Sequence, residues 1–224
     1  MTEFCSGFGQ YHSPNHKTNP KPYSKITREQ IISMVKNPPS VDKPQARWFI
    51  PSTLLSREAI AQREKGEYFA IWCDFDNHTE LDRIKQVLAL LGYFCIVYSS
   101  RSSKRNHQKW RVIIFLATAA NPTDWQIITS IINDKFQAAD IQPDRVTERH
   151  NQVAYLPNKG EFYEYFIADN LSYLNWKHTL FAEIQAKKAE IQRQQHENTP
   201  ELKRLNAWQQ GKKHLCWLLM RLMT

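Results

Sequence analysis

Phe69-Ala70-Ile71-Trp72-Cys73-Asp74-Phe75-Asp76 is an apolar run that ends in two acids one residue apart. It is short, rich in aromatic residues and free of Gly and Pro, so it reads as a buried strand rather than a helix. Side chains alternate along a strand, so Asp74 and Asp76 share a face, Phe75 takes the other, and the two acidic Cα atoms lie about 6.6 Å apart. Two carboxylates about 5 Å apart repel by about 3 kcal/mol at an effective dielectric of about 20. A wet surface tolerates such a pair, whereas the end of a buried strand calls for a cation. Two divalent ions about 3.5–4 Å apart, bridged by carboxylates of this kind, drive phosphoryl and nucleotidyl transfer. The plainer reading is a solvated strand-to-helix turn, with Asp76 or Asn77 opening the next helix.

Working outward, Thr79-Glu80-Leu81-Asp82 suits a helix start, with Thr79 as cap and the acids in the first turn, where the dipole favours them. Leu81, Ile84, Leu88 and Leu91 form the buried stripe, and Gly92 ends the helix. Tyr93 to Ser100 reads as a second buried strand, Ser100 to Gln108 as a basic loop without apolar residues, and Trp110 to Leu116 as a third strand, apolar except for Arg111. Asn121-Pro122 opens another helix, with Pro122 suited to its first position and Trp125, Ile128, Ile132 and Phe136 facing the core. Gln152 to Leu156 and Phe162 to Phe166 read as two further strands. Upstream, Thr27 to Lys36 is an amphipathic helix ended by Pro38-Pro39, Ala46 to Ser52 is extended, and a helix lies near 56–65. The fold class is α+β: an RRM- or ferredoxin-like antiparallel sheet with packed helices, in the order strand–helix–strand–strand–helix–strand, plus a C-terminal helical tail. The expected domains are a flexible polar arm over 1–24, a core over 25–172, and a basic helical extension over 173–224, with one long helix from Asn175 to about His196.

The chain has 224 residues, 42% of them hydrophobic, and a net charge of +8. That supports a folded protein whose partner is rich in phosphate. The charge is also placed: no acid lies between Asp82 and Asp124, and Arg101, Lys104, Arg105, Lys109 and Arg111 cluster there around His107. Arg111 is the pointed case, because a charge inside an apolar strand wants an anion or an acid. With only 6 Gly, and no upstream glycine before Gly211-Lys212-Lys213, a P-loop ATPase is excluded. The four cysteines lack C-x-x-C spacing, and no signal peptide or membrane span is legible, so a reducing cytoplasmic setting is expected. Cys5, His12 and His16 are too loosely spaced to read as a zinc site.

Three elements fall in order: Asp74-Phe75-Asp76; the loop from Tyr98-Ser99-Ser100 into Trp110-Arg111-Val112-Ile113; and Asp144 followed by Tyr155-Leu156-Pro157. This order resembles the archaeo-eukaryotic primase superfamily, in particular the small primase domains of plasmid and phage replication proteins, over roughly residues 46–166. The resemblance implies a primase-like catalytic core in which Asp74, Asp76 and Asp144 hold two Mg²⁺ or Mn²⁺ ions. It implies that Ser102, Ser103, His107, Lys109 and Arg111 bind the incoming nucleoside triphosphate. Arg101, Lys104 and Arg105 would meet single-stranded DNA template. The family sets its motif histidine next to a serine, whereas here His107 stands four residues beyond Ser103; Asp140 competes with Asp144 as third acid. The implied activity is primer synthesis by a metal-dependent nucleotidyltransferase, served by a separate replicative helicase unless the chain is a piece of a primase–helicase. The alternatives are an inactive DNA-binding initiation module, whose salt-sensitive binding would survive loss of the acids, and a metal-dependent nuclease. An HUH-type nickase is disfavoured by the lack of a His-hydrophobe-His motif.

Overall fold

The structure, a computed structural model, describes residues 2–9 and 23–197. Two compact units divide the chain, Met1–Phe181 and Ala182–Thr224. In chain order the elements are β1 (Glu3–Phe8), β2 (Ser24–Thr27), α1 (Arg28–Lys36), β3 (Arg47–Ile50), α2 (Ala59–Lys65), β4 (Tyr68–Phe75), α3 (Leu81–Leu91), β5 (Cys95–Ser99), β6 (Trp110–Ala120), α4 (Pro122–Ala138), β7 (Ala154–Tyr155), β8 (Tyr165–Ile167), α5 (Trp176–Thr179) and α6 (Phe181–Glu197), with 3-10 turns at Lys43–Gln45 and Arg145–Glu148. The architecture is mixed α+β with two four-stranded antiparallel sheets, ordered β2-β1-β3-β7 and β4-β6-β5-β8.

The two sheets enclose one core with α1. Phe4 and Phe49 from the first sheet, Trp72, Ile113 and Phe115 from the second, and Ile31 and Val35 from α1 are all buried in it. The opposite face of the second sheet is covered by α4, whose Phe136 meets Phe75 (ring centroids 4.8 Å apart) and whose Trp125 stacks on Tyr68 at 4.3 Å. On β4 the even-numbered Ala70 and Trp72 face the inter-sheet core. Asp74 continues that row, at the end of the strand.

β4 is the edge of its sheet, yet it is buried. Two of its carbonyls are bonded from outside the sheet: Trp125 Nε1 donates to Ala70 O at 2.9 Å, and Asp144 N donates to Asp74 O at 2.8 Å. In the ferredoxin-like arrangement the last strand would lie beside the first. Here β8 takes the other edge, beside β5, and β7 leaves for the first sheet, beside β3.

Local signals explain the helix ends. Thr27 and Gln30 form a capping box on α1, with bonds of 3.3 and 3.0 Å. Gly92 closes α3 at φ 71°, a left-handed position natural to glycine. Asn121 caps α4, with Pro122 following. Thr79 does not cap α3, contrary to expectation. Its hydroxyl donates to Asn77 O at 3.4 Å, its carbonyl accepts Trp110 Nε1 at 2.6 Å, and the helix opens one residue later.

The largest correction concerns the arm. Glu3–Phe8, expected to be flexible, is the strand at the centre of the first sheet, paired with β2 and β3. Phe4 packs against Phe49 and Phe115 with centroids 5.6 and 6.0 Å apart. Phe4→Leu is therefore expected to cost about 1 kcal/mol in denaturant unfolding, where a flexible arm would register nothing. The remainder of the arm, 10–22, lies outside the described residues.

At the other end the first unit runs past 172. Leu174 is wholly buried and exchanges backbone bonds of 2.9 Å with Phe115 and Ala117. The single helix expected from Asn175 is two, α5 and α6, interrupted at Leu180. In the second unit α6 is a mostly exposed polar helix, and the basic stretch beyond Glu197 lies outside the described residues. Among the described residues no helix is long and apolar enough to cross a membrane.

Candidate active site

Asp74 sits directly opposite Arg111 on β6, and Arg111 directly opposite Tyr98 on β5. The register thus lines up an acid, a cation and a phenol across three strands. Arg111 Nε lies 3.3 Å from Asp74 Oδ1, and the two side chains are only 16% and 14% exposed. Neither of these atoms has a hydrogen-bond partner. The charges compensate each other, but the directional bond is not made. The far side of the guanidinium reaches the other sheet: Arg111 Nη1 donates to Tyr155 O at 3.3 Å, and the Tyr98 hydroxyl donates to the same carbonyl at 2.8 Å. Burial pushes the Asp74 carboxyl above its ordinary pKa; Arg111 opposes that, and the neighbouring charges of Asp76 and Asp144 add to it. Burial works against the Arg111 charge, but Asp74, Tyr98 and Asp76 together hold its pKa above the ordinary value.

Asp76, just past the end of β4, is 58% exposed and pairs with Lys109 Nζ at 3.3 Å. Asp144 arrives by a different route. Its N–H is tied to Asp74 O, and its carboxylate accepts the Val146 N–H at 3.0 Å, capping the turn Arg145–Glu148. That turn is braced from α4. Asn133 donates to Thr147 Oγ1 at 3.2 Å and to Glu148 at 3.0 Å, the Thr147 hydroxyl donates to Asp144 O at 3.0 Å, and Arg145 bridges Asp134 and Glu148 at 2.7 and 2.6 Å. Asp140 is fully exposed and pairs loosely with Arg83 at 3.9 Å.

The basic loop is a small hairpin. Lys104 and His107 exchange backbone bonds of 3.1 and 3.0 Å around an exposed tip that carries Arg105. His107, expected beside the nucleotide, instead stacks on His78, with centroids 6.1 Å apart. Ser103, also expected there, is wholly buried; its hydroxyl accepts the Lys109 N–H at 3.0 Å and closes the hairpin. Arg101 is exposed like Lys104 and Arg105 but is not at the hairpin tip. It folds back onto Val41 O, Asn158 Oδ1 at 3.3 Å and Asp42 at 3.2 Å. Gly160 presses against this turn so closely that a Cβ there would meet Arg101 O at 2.0 Å. Gly160→Ala is expected to cost about 1–3 kcal/mol, read as a lowered denaturant midpoint.

Between the sheets opens a cleft of about 520 Å³, lined by Lys43, Arg101, Arg111, Ser100, Ser102 and Tyr155 among others. Three of its lining residues are cations and none is an acid, so it is built for an anion. Sequence reasoning had Ser102 and Arg111 for it, and assigned Arg101 to DNA. Ser100 and Tyr155 enter the sequence reading only as parts of motifs, and nothing in the sequence assigns Lys43 or Asn158 to the cleft.

The donor set suits hard cations in one respect. Asp74 Oδ1 is a buried oxygen without a hydrogen-bond partner, next to two further carboxylates whose charges act on it. Mg²⁺ or Mn²⁺ would use such oxygens, leaving its remaining positions to water and phosphate. In another respect the set is not assembled: among the described residues, no three His, Cys, Asp or Glu side chains are grouped to hold a metal ion.

No protein family matches the chain, and no curated protein matches it. Among solved structures, the archaeo-eukaryotic primase domain of the cyanophage S-2L primase-polymerase matches with 10% identity and a TM-score of 0.41, covering 76% of this chain and 83% of that one. A likeness at that score carries no argument, and the functional reading rests on the residues themselves.

Proposed function

We propose that this chain is a metal-dependent nucleotidyltransferase that makes short primers on single-stranded DNA. The observation that carries the reading is the cationic cleft backed by Asp74, whose partner Arg111 belongs to both the acid and the cleft. Arg111, Arg101 and Lys43 would hold the triphosphate, with the planar guanidinium groups gripping oxygens in pairs and lysine acting as a point charge. Asp74 and Asp76, with Asp144, would hold two Mg²⁺ or Mn²⁺ ions, which when bound lower the pKa of the attacking hydroxyl and take up charge on the leaving group. A bond would form between the primer 3′-oxygen and the α-phosphorus, the α–β phosphoanhydride bond would break with pyrophosphate leaving, and the hydroxyl proton would pass to bulk water. Lys104 and Arg105, exposed at the hairpin tip, would meet the template backbone. The order of the three motifs supports a place in plasmid or phage replication. No feature of the described residues points to a helicase partner.

A second reading has its own observation. Asp74 and Asp76 are already balanced by internal cations, which suits a DNA-binding module without chemistry. One assay separates the readings: template, labelled nucleoside triphosphates and Mg²⁺ or Mn²⁺, with and without EDTA. Metal-dependent extension products support the transferase. Shortened template indicates the nuclease. Salt-sensitive DNA binding with no product indicates the binding module.

A further inference from the structure

Three cations in or beside the cleft are already held by acids: Arg111 by Asp74, Lys109 by Asp76, and Arg101 by Asp42. A group cannot serve two anions at full strength. The guanidinium that balances Asp74 also lines the cleft, so a phosphate entering there competes with the carboxylate for it. Lys109 is not in the cleft lining but borders it: its carbonyl accepts the N–H of the lining residue Ser100 at 3.0 Å, and its own N–H is taken by Ser103 at 3.0 Å. Only its side chain is left to move.

We propose that Arg111 and Lys109 are counterions that change partners. They neutralise Asp74 and Asp76 while those carboxylates are bare, and turn to phosphate once a divalent cation has taken their place on the acids. Metal and nucleoside triphosphate then bind cooperatively, and each strengthens the other by the same factor. Asp42 stands outside the acidic pair, so its hold on Arg101 is independent of metal. The inference rests on the reading of this site as binding both metal and nucleotide. It gives the site a property that reading alone does not require: bare carboxylates hold the cleft in a low-affinity state.

The test is the affinity of the full chain for a fluorescent nucleoside triphosphate, in EDTA and in Ca²⁺, read by anisotropy. In EDTA, Asp76→Asn frees Lys109 and is expected to bind about five- to tenfold tighter than the unsubstituted chain, whereas Lys109→Met stays within about twofold of it. In Ca²⁺, Lys109→Met is expected to bind about five- to tenfold weaker. Asp42→Asn removes an equal charge near the same cleft and shifts affinity by one factor in both buffers. The proposal is overturned if Asp76→Asn binds no tighter in EDTA, if Lys109→Met weakens binding equally in both buffers, or if Asp42→Asn shows the same metal dependence as Asp76→Asn. Absence of saturable binding by every protein in both buffers is a separate failure, because it removes the nucleotide reading itself. Asp76 lies just past β4 and Lys109 just before β6, and Asp76 is exposed, so these variants are expected to keep the fold, which circular dichroism checks.

Discussion

Arg111→Met is expected to lower the stability of the first unit by about 3–5 kcal/mol, the usual result of removing one partner from a buried ion pair. The loss comes from what stays behind: Asp74 keeps a charge that is 14% exposed and has no other counterion across the strand. The Tyr155 carbonyl keeps its bond from Tyr98, so little of the cost arises there. Adding Asp74→Asn to the variant removes the stranded charge, and the double variant should recover most of the loss, since neutral groups of similar shape often replace a buried pair without penalty. The deficit also depends on pH. Burial raises the folded-state pKa of Asp74 above its ordinary value of 3.8, so the folded state favours the protonated acid. The associated stability is complete below that ordinary value and is lost as pH rises through the folded-state pKa. Without Arg111 the shift grows, so the deficit should be small in acid and widen toward neutrality. Urea unfolding of the single and double variants at acid and neutral pH measures both effects. A deficit that Asp74→Asn does not repair would mean that Arg111 matters for packing alone.

Under the proposed function, Asp74→Asn and Asp76→Asn are each expected to reduce metal-dependent primer synthesis at least about 10³-fold, because each would withdraw an oxygen ligand from charge stabilisation worth several kcal/mol. The two differ in their structural side effects. Asp76 is exposed, and its removal frees Lys109 and takes a like charge from beside Asp74, so the fold should be kept. Asp74→Asn leaves Arg111 with the Tyr155 carbonyl as its remaining bond, so some stability is lost along with activity. Initial rates of labelled product, set beside unfolding midpoints, keep the two effects apart. An Asp76→Asn protein with unchanged rate would exclude Asp76 from the chemistry.

What the sequence disclosed and what it hid divide along physical lines. Strands with two buried faces, such as Tyr68–Phe75 and Cys95–Ser99, announce themselves as short apolar runs, and helix ends at Asn121-Pro122 and Gly92 follow from local chemistry. Arg111 was legible because a cation in an apolar strand demands an acid, and the acid proved to be its direct cross-strand neighbour. Pairing between distant segments was not legible. Nothing in Phe4-Cys5-Ser6-Gly7 signals that it is the strand between Ser24–Thr27 and Arg47–Ile50. The two short strands after Asp144 gave no sign that they would join different sheets. The same limit hid Lys43, whose place in the cleft wall depends on how the first sheet meets the second. Ser103, which the resemblance sets among the nucleotide-binding residues, is turned inward by the hairpin, where its hydroxyl accepts the Lys109 N–H.

The central claim is that the acids and the cleft form one site for metal and nucleotide. The most direct measurement is a crystal structure of the chain grown with a nucleoside triphosphate and Mn²⁺, using the anomalous signal to place the metal. The expected result is Mn²⁺ on the carboxylates of Asp74 and Asp76, with the phosphates in the cleft against Arg111. Mn²⁺ bound elsewhere, or phosphates on the exposed hairpin with the Asp74–Arg111 pair intact, would contradict it.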